Sequence, residues 1–256
     1  MKASVVVIGI GELGAVFARG LLRLGHPIYP ITRAMDMAAE AKALPDPEMV
    51  LLAVAEKDLH ATLRAIPKPW QSRLALLQNE LLPRDWLEAG IELPTVISVW
   101  FEKKRGQDAK VLLPSPAFGT HAPLLTDALN GIGIAARVLA TQDRLLFELV
   151  RKNVYIVATN VAGLAVGGTV SELWRHHEAL ARSVALDVID IQEYLTGTRF
   201  DRDALIAGML EAFDGDPQHG CMGRSAPARL QRALEQADAA GLAVPKLREI
   251  AATSKT

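Results

Sequence analysis

The chain has 256 residues, half of them hydrophobic and 22% charged, with a formal net charge of −1. That length can bury a substantial core in one large or two smaller domains, and a near-neutral chain without a basic stripe excludes nucleic acid as an expected partner. Cys221 is the only cysteine, which rules out an intrachain disulfide and points to a reducing, cytoplasmic setting.

The β-branched run Ala3 to Ile8 predicts a strand buried on both faces. Gly9-Ile10-Gly11-Glu12-Leu13-Gly14 follows, and then a helix to Leu24 whose apolar positions 13, 17, 21 and 24 share one face. Glycines at this spacing between a buried strand and a helix are the context in which G-x-G-x-x-G binds a dinucleotide. Gly9 would permit the tight turn, Gly11 the approach of a pyrophosphate, and Gly14 the packing of helix on strand, so all six residues are candidate cofactor positions. The competing reading is a glycine-rich turn with no ligand. Glu12 and these glycines interrupt the apolar run after Met1-Lys2, which therefore does not read as a signal peptide.

His26 to Ile31 predicts a second strand, ending in Thr32-Arg33. NAD-binding versions of such a fold carry an acid roughly 20 residues past the fingerprint. Arg33 instead suits the 2′-phosphate of NADP, with Asp36 nearby as the carboxylate alternative and a solvated loop charge as the plain one. NADP(H) is the expected cofactor. Met35 to Leu44 reads as a short helix and Met49 to Val54 as a third strand, whose end, Ala53, is taken as a cofactor contact. Asp58 to Ile66 reads as helix and Leu74 to Leu77 as strand. Asn79, just past that strand, either borders the cofactor or caps Leu81-Leu82.

Thr95 to Phe101 and Lys110 to Leu113 are further expected strands, with a proline-containing loop from Pro114 to Thr120. A helix over Thr126 to Gly131 and a strand over Ala135 to Leu139 close an expected domain of residues 1–140. From Thr141 the pattern is helical: a long helix capped by Thr141, then Glu178 to Leu195, Arg202 to Phe213, Ala226 to Ala240 and a short end near Leu247, giving a second domain of residues 141–256. The apolar stretch Val154 to Val170 holds Asn160 and is short for a membrane span. The expected class is α/β, a doubly wound parallel Rossmann sheet plus an all-helical C-terminal domain.

Together these pieces resemble the ketopantoate reductase family. The resemblance rests on the Gly9–Gly14 motif, Leu77-Gln78-Asn79, Arg151-Lys152-Asn153, Thr159-Asn160-Val161-Ala162-Gly163-Leu164 and the closing Gly241-Leu242-Ala243-Val244-Pro245. It implies a cleft between the two domains in which NADPH reduces a 2-oxo acid. It further implies that Lys152 donates the proton to the carbonyl oxygen and that Asn160 binds substrate. The chain departs from the family in four places: Ile156 stands for an asparagine, Ala55 for a lysine with Lys57 nearby, and Pro227 for a carboxylate, and the serine ahead of that carboxylate has no match in Gln218 to Met222.

Hydride transfer leaves negative charge on oxygen, so a positioned acid such as Lys152 is what the chemistry needs, and burial would lower its pKa toward neutrality. The plain alternative is a surface lysine; for Asn160 it is a satisfied core amide. The loop Phe213 to Ser225 concentrates glycine, acids, a histidine and an arginine between two helices, as substrate loops do. Arg224 is expected to clamp a carboxylate and His219 to contact substrate or act as acid or base. Cys221 lacks a partner pattern for catalysis, and adjacent His176-His177 point apart on a helix, so no metal is expected. The expected partner is a small carbonyl substrate, with a homodimer as the assembly to test for. Two other functions stay open: a catalytically silent NADP(H)-binding sensor or scaffold, and an NADP-linked dehydrogenase of another hydroxy or oxo compound.

Overall fold

A computed structural model of the chain describes residues 2–253. The apolar runs become strands: β1 (Val5–Ile8), β2 (Ile28–Ile31), β3 (Met49–Leu52), β4 (Leu74–Leu76) and β5 (Thr95–Ile97). Between them lie α1 (Glu12–Arg23), α2 (Met37–Ala43), a 3₁₀ turn over Glu56–Asp58, α3 (Leu59–Ala65), α4 (Lys68–Gln71) and α5 (Pro83–Leu87). A short hairpin of β6 (Phe101–Glu102) and β7 (Lys110–Val111) follows, then β8 (Ser115–Phe118), α6 (Ala122–Asn130) and β9 (Ala136–Val138).

The main sheet has the order β2-β1-β3-β4-β5-β8-β9. Strands β1 to β5 are mutually parallel, as expected of a Rossmann-type unit. The last two reverse: β8 pairs antiparallel with β5, and β9 runs parallel to β8. The segment from Pro114 to Thr120, expected as a loop, therefore contains a strand. Pro116 argues against a strand because it lacks an N–H, yet its carbonyl still accepts from Ser98 N at 2.9 Å, and Ala117 and Phe118 pair with Ile97 and Val96. The single strand expected over Thr95 to Phe101 is split into β5 and β6.

Alternate residues of the strands face opposite sides, and both sides are buried. Val5, Val7, Met49, Leu51, Ile97 and Ala117 pack with Phe17 and Leu21 of α1 and Leu125 and Leu129 of α6. Their neighbours Val6, Val50, Leu52, Leu76 and Val96 are equally inaccessible. Each such large side chain contributes about 1.5–3 kcal/mol by leaving water. Helix α1 lies almost against the backbone of α6: a Cβ on Gly20 would stand 2.2 Å from the Ala128 carbonyl oxygen.

The C-terminal part is helical throughout, with α7 (Gln142–Val166), α8 (Val170–Thr196), α9 (Arg202–Gly215), α10 (Ala226–Ala240) and α11 (Pro245–Thr253). Thr141 Oγ1 accepts from Arg144 N at 3.3 Å, the expected cap of α7. Helix α8 starts at Val170 rather than Glu178, because Thr169 and Glu172 form a reciprocal capping box there; non-helical angles at His177 (φ −137°, ψ 33°) kink it. A buried amide pair, Asn153 Nδ2 to Gln192 Oε1 at 2.9 Å, ties α7 to α8. Asp187 of α8 accepts from Lys246 N and Leu247 N at 2.8 and 3.0 Å, fixing the start of α11. The chain divides into two compact units, Met1–Glu148 and Leu149–Thr256, with the division inside α7. Among the described residues no helix is long and apolar enough to cross a membrane.

The Gly20 contact makes the packing of α1 on α6 testable. Gly20→Ala should lower unfolding stability by about 1–3 kcal/mol, since the added methyl overpacks a backbone-to-backbone contact. Denaturant melts check this; an unchanged midpoint would contradict so close an approach.

Candidate active site

The turn from β1 into α1 is shaped by two glycines that the fold itself demands. Gly9 has φ +94°, where a side chain is strained, and a Cβ there would stand 2.8 Å from the Ala53 carbonyl oxygen. A Cβ on Gly14 would stand 2.1 Å from the Gly9 carbonyl oxygen, so α1 can begin against the turn only with glycine at this position. Gly11 is different. Its φ of −84° and ψ of −166° suit any residue, and a Cβ built there meets nothing within 4 Å. It is the N-cap of α1 and offers no side-chain cap, so the first-turn N–H groups and the positive end of the helix are left for an anion.

This turn lies at the carboxyl end of β1, where the sheet order reverses between β2 and β3, the switch point at which open α/β sheets bind ligands. Ala53 forms the adjoining wall, its N–H donating to the Ile8 carbonyl at 2.8 Å. Of the remaining fingerprint residues, Ile10 is exposed, the Glu12 carboxylate lies 3.4 Å from Lys103 Nζ, and Leu13 packs against the core. The residues present fit a dinucleotide: a tight turn, an unobstructed backbone face and an uncapped helix start.

Arg33 follows β2 on an exposed loop, where its Nη2 meets Asp58 Oδ2 at 2.9 Å. Asp36 is engaged as the N-cap of α2, accepting from Ala38 N at 2.9 Å. Asn79 does not cap the residues after it. Its Nδ2 donates to Glu56 Oε1 at 2.9 Å, while Asp85 Oδ2 accepts from Leu82 N at 2.7 Å at the start of α5. The buried neighbour Gln78 donates to the Leu52 carbonyl at 2.8 Å and holds β4 to β3 at the carboxyl edge of the sheet. Its structural part was not anticipated, although an amide just past a buried strand is a signal for it.

In the helical unit Lys152 is only 6% exposed, so it is not the surface lysine of the plain reading. Tyr155 and Thr159 share its stripe on α7 at i+3 and i+7. Asn160 is engaged at both ends of its amide: Oδ1 accepts from Arg229 Nη1 at 2.8 Å, and Nδ2 donates to the Cys221 carbonyl at 3.3 Å. It thereby ties α10 and the loop after α9 to α7. Arg229 went unnoticed in the sequence because nothing in its spacing sets it apart from other helix-surface cations.

The same loop is stitched to the start of α8, with Val170 N donating to the His219 carbonyl at 2.8 Å and Cys221 N to the Gly168 carbonyl at 3.0 Å. A Cβ on Gly163 would stand 2.8 Å from Cys221 Cβ, so the loop lies flat on α7. His219 Nδ1 is 3.6 Å from the buried carboxylate of Asp216, and its ring lies 6.4 Å from that of Tyr155. Arg224 is exposed and forms no ion pair among the described residues. His176 and His177 are exposed, and no three His, Cys, Asp or Glu side chains among the described residues gather to hold a metal.

Cys221 is fully buried, and burial, followed by the charge of Glu172, pushes its thiol up to about 11. The thiolate is the reactive form, so the thiol is inert at neutral pH. Native protein should therefore resist alkylation by iodoacetamide at pH 8 and react fully only when denatured. Rapid labelling of the native chain would contradict this burial.

No protein-family model matches the sequence, and no curated protein does. Solved structures do. A PanE/ApbA-family ketopantoate reductase from Ralstonia eutropha aligns over 100% of this chain and 97% of its own, at 17% identity and a TM-score of 0.69. A dimeric ketopantoate reductase from Staphylococcus aureus aligns over 98% and 97%, at 15% identity and 0.67. A D-mandelate dehydrogenase in ternary complex with NADH and anilino(oxo)acetate aligns over 98% and 97%, at 14% identity and 0.67. What these identities establish is the fold: from end to end this chain is built as the ketopantoate reductases and D-mandelate dehydrogenase are.

Proposed function

We infer that the chain is an NADP(H)-dependent oxidoreductase that reduces a 2-oxo acid or a related carbonyl compound. The observation that carries this reading is Gly11. Gly9 and Gly14 are explained by contacts within the protein, whereas Gly11 faces open space in a conformation any residue could adopt. A ligand that presses against the backbone there, as a pyrophosphate does, supplies the missing reason. The fold shared with ketopantoate reductases and with a D-mandelate dehydrogenase solved with NADH supports the same class.

In this reading residues 1–140 form the NADP(H)-binding domain and 141–256 the substrate domain. The Gly9–Gly14 backbone and the start of α1 grip the pyrophosphate, Arg33 the 2′-phosphate, and Ala53 and Asn79 border the cofactor. NADPH held there would supply the hydride for the carbonyl carbon. Lys152 delivers a proton to the oxygen as its negative charge develops, and burial suits a lysine to that task. His219 and Arg224 contact the substrate's polar groups, and Asn160 holds the loop that carries them. A homodimer is the assembly this reading expects.

A second reading, a dinucleotide-binding protein without turnover, is favoured by two observations. Both ends of the Asn160 amide are engaged by protein groups, and Ile156, Ala55 and Pro227 stand at the family's other site positions.

Two measurements separate these readings. Fluorescence or calorimetric titration should show NADPH binding more tightly than NADH; equal affinities would remove the role of Arg33, and no binding would remove the cofactor. NADPH oxidation against 2-oxo acids, aldehydes and ketones should then reveal a substrate, and Lys152→Ala should cut its turnover by about 10²–10⁴-fold with NADPH affinity nearly unchanged. Tight binding without turnover on the whole panel would favour the silent reading, and full turnover by the variant would place the acid elsewhere.

A further inference from the structure

Asp58 belongs to none of the roles described so far, yet its carboxylate is the group that holds Arg33. Ile8, the last residue of β1, pairs with Ile31 of β2 on one side and Leu52 of β3 on the other. The loops carrying Arg33 and Asp58 therefore leave the sheet at one level, on either side of the glycine turn. Their ion pair at 2.9 Å joins the two loops past the end of β1. The Arg33 side chain is 89% exposed, and among the described residues it forms no other hydrogen bond or ion pair. Asp58 occupies the N-cap position of α3 but makes no side-chain cap, turning its carboxylate outward to the arginine instead. A pair this exposed contributes little to stability. The other nearby acid, Asp36, is engaged in capping α2.

We propose that Asp58 sets the dinucleotide preference of this chain by competing with the cofactor's 2′-phosphate for Arg33. This rests on the reading that Arg33 meets that phosphate. In the free protein the carboxylate engages one arm of an arginine fork suited to a phosphate. When the 2′-phosphate arrives, it must share the guanidinium with a like charge a few ångströms away, or draw the guanidinium off it. NADH carries a 2′-hydroxyl and bears neither cost. Asp58 therefore narrows a preference for NADPH that Arg33 alone would make wide.

The test is calorimetric titration of wild type and Asp58→Asn with NADPH, NADH and adenosine 2′,5′-bisphosphate at low ionic strength. The variant keeps the shape of the side chain and removes its charge. It should bind NADPH and the bisphosphate about 5- to 30-fold more tightly, from one carboxylate repelling a roughly doubly charged phosphate at close range in water. NADH affinity should stay within about twofold, and the gain should shrink as salt is raised. An unchanged NADPH-to-NADH ratio, or a variant that binds NADPH more weakly, overturns the proposal while leaving the cofactor reading intact. A wild type that binds none of the three probes overturns that reading, and this inference with it.

Discussion

The structure of the N-terminal unit depends on one close approach: the start of α1 lies so near the β1 turn that a side-chain carbon on Gly14 would stand 2.1 Å from the Gly9 carbonyl oxygen. Close packing makes such a contact intolerant of even one methyl group. It brings the first turn of α1 to the carboxyl edge of the sheet, at the one point where the strand order reverses. Gly9 closes the geometry from the other side by abutting Ala53 at the end of β3. Further along α1, the absent side chain of Gly20 lets the helix settle on α6, so the position of the turn and the core of the unit are one packing problem.

The proposed function rests on residues that packing leaves unexplained. Gly11 has no internal contact to satisfy, and the exposed Arg33–Asp58 pair contributes little to stability. The helical unit shows the opposite case. Asn160 resembles a substrate amide by position, but its hydrogen bonds go to Arg229 and Cys221, which makes it part of the scaffold of the loop. His219 sits on that loop against Tyr155 with a buried carboxylate behind it, an arrangement that fixes an imidazole rather than leaving it to solvent.

Much of this was legible in the sequence because local and global signals agreed. The run Val5 to Ile8, the three glycines and the apolar face of α1 each point to the same strand–turn–helix, and α10 spans Ala226–Ala240 as its pattern predicts. β8 was hidden by Pro116, whose loss of a donor reads as a loop until the partner strand is known. The early start of α8 was legible in principle: Thr169 and Glu172 have capping-box spacing, but the glycines before them and the kink at His177 obscure the helical period. Among the candidate residues, the partners of Asn79, Arg33 and Asn160 lie 23, 25 and 69 residues away in the chain. No periodicity spans such distances, so residue types could be nominated but not their hydrogen bonds.

The most direct test of the account is the substitution Gly11→Asp, read by thermal melting and by NADPH titration on the same preparation. Aspartate is a favourable N-cap and the space beside Gly11 is open, so the melting temperature should hold or rise. The added carboxylate would occupy the pyrophosphate's place with the wrong charge, so NADPH affinity should fall by about 100-fold or more. A variant that melts as expected and still binds NADPH like the wild type would contradict the assignment of this turn as the cofactor site.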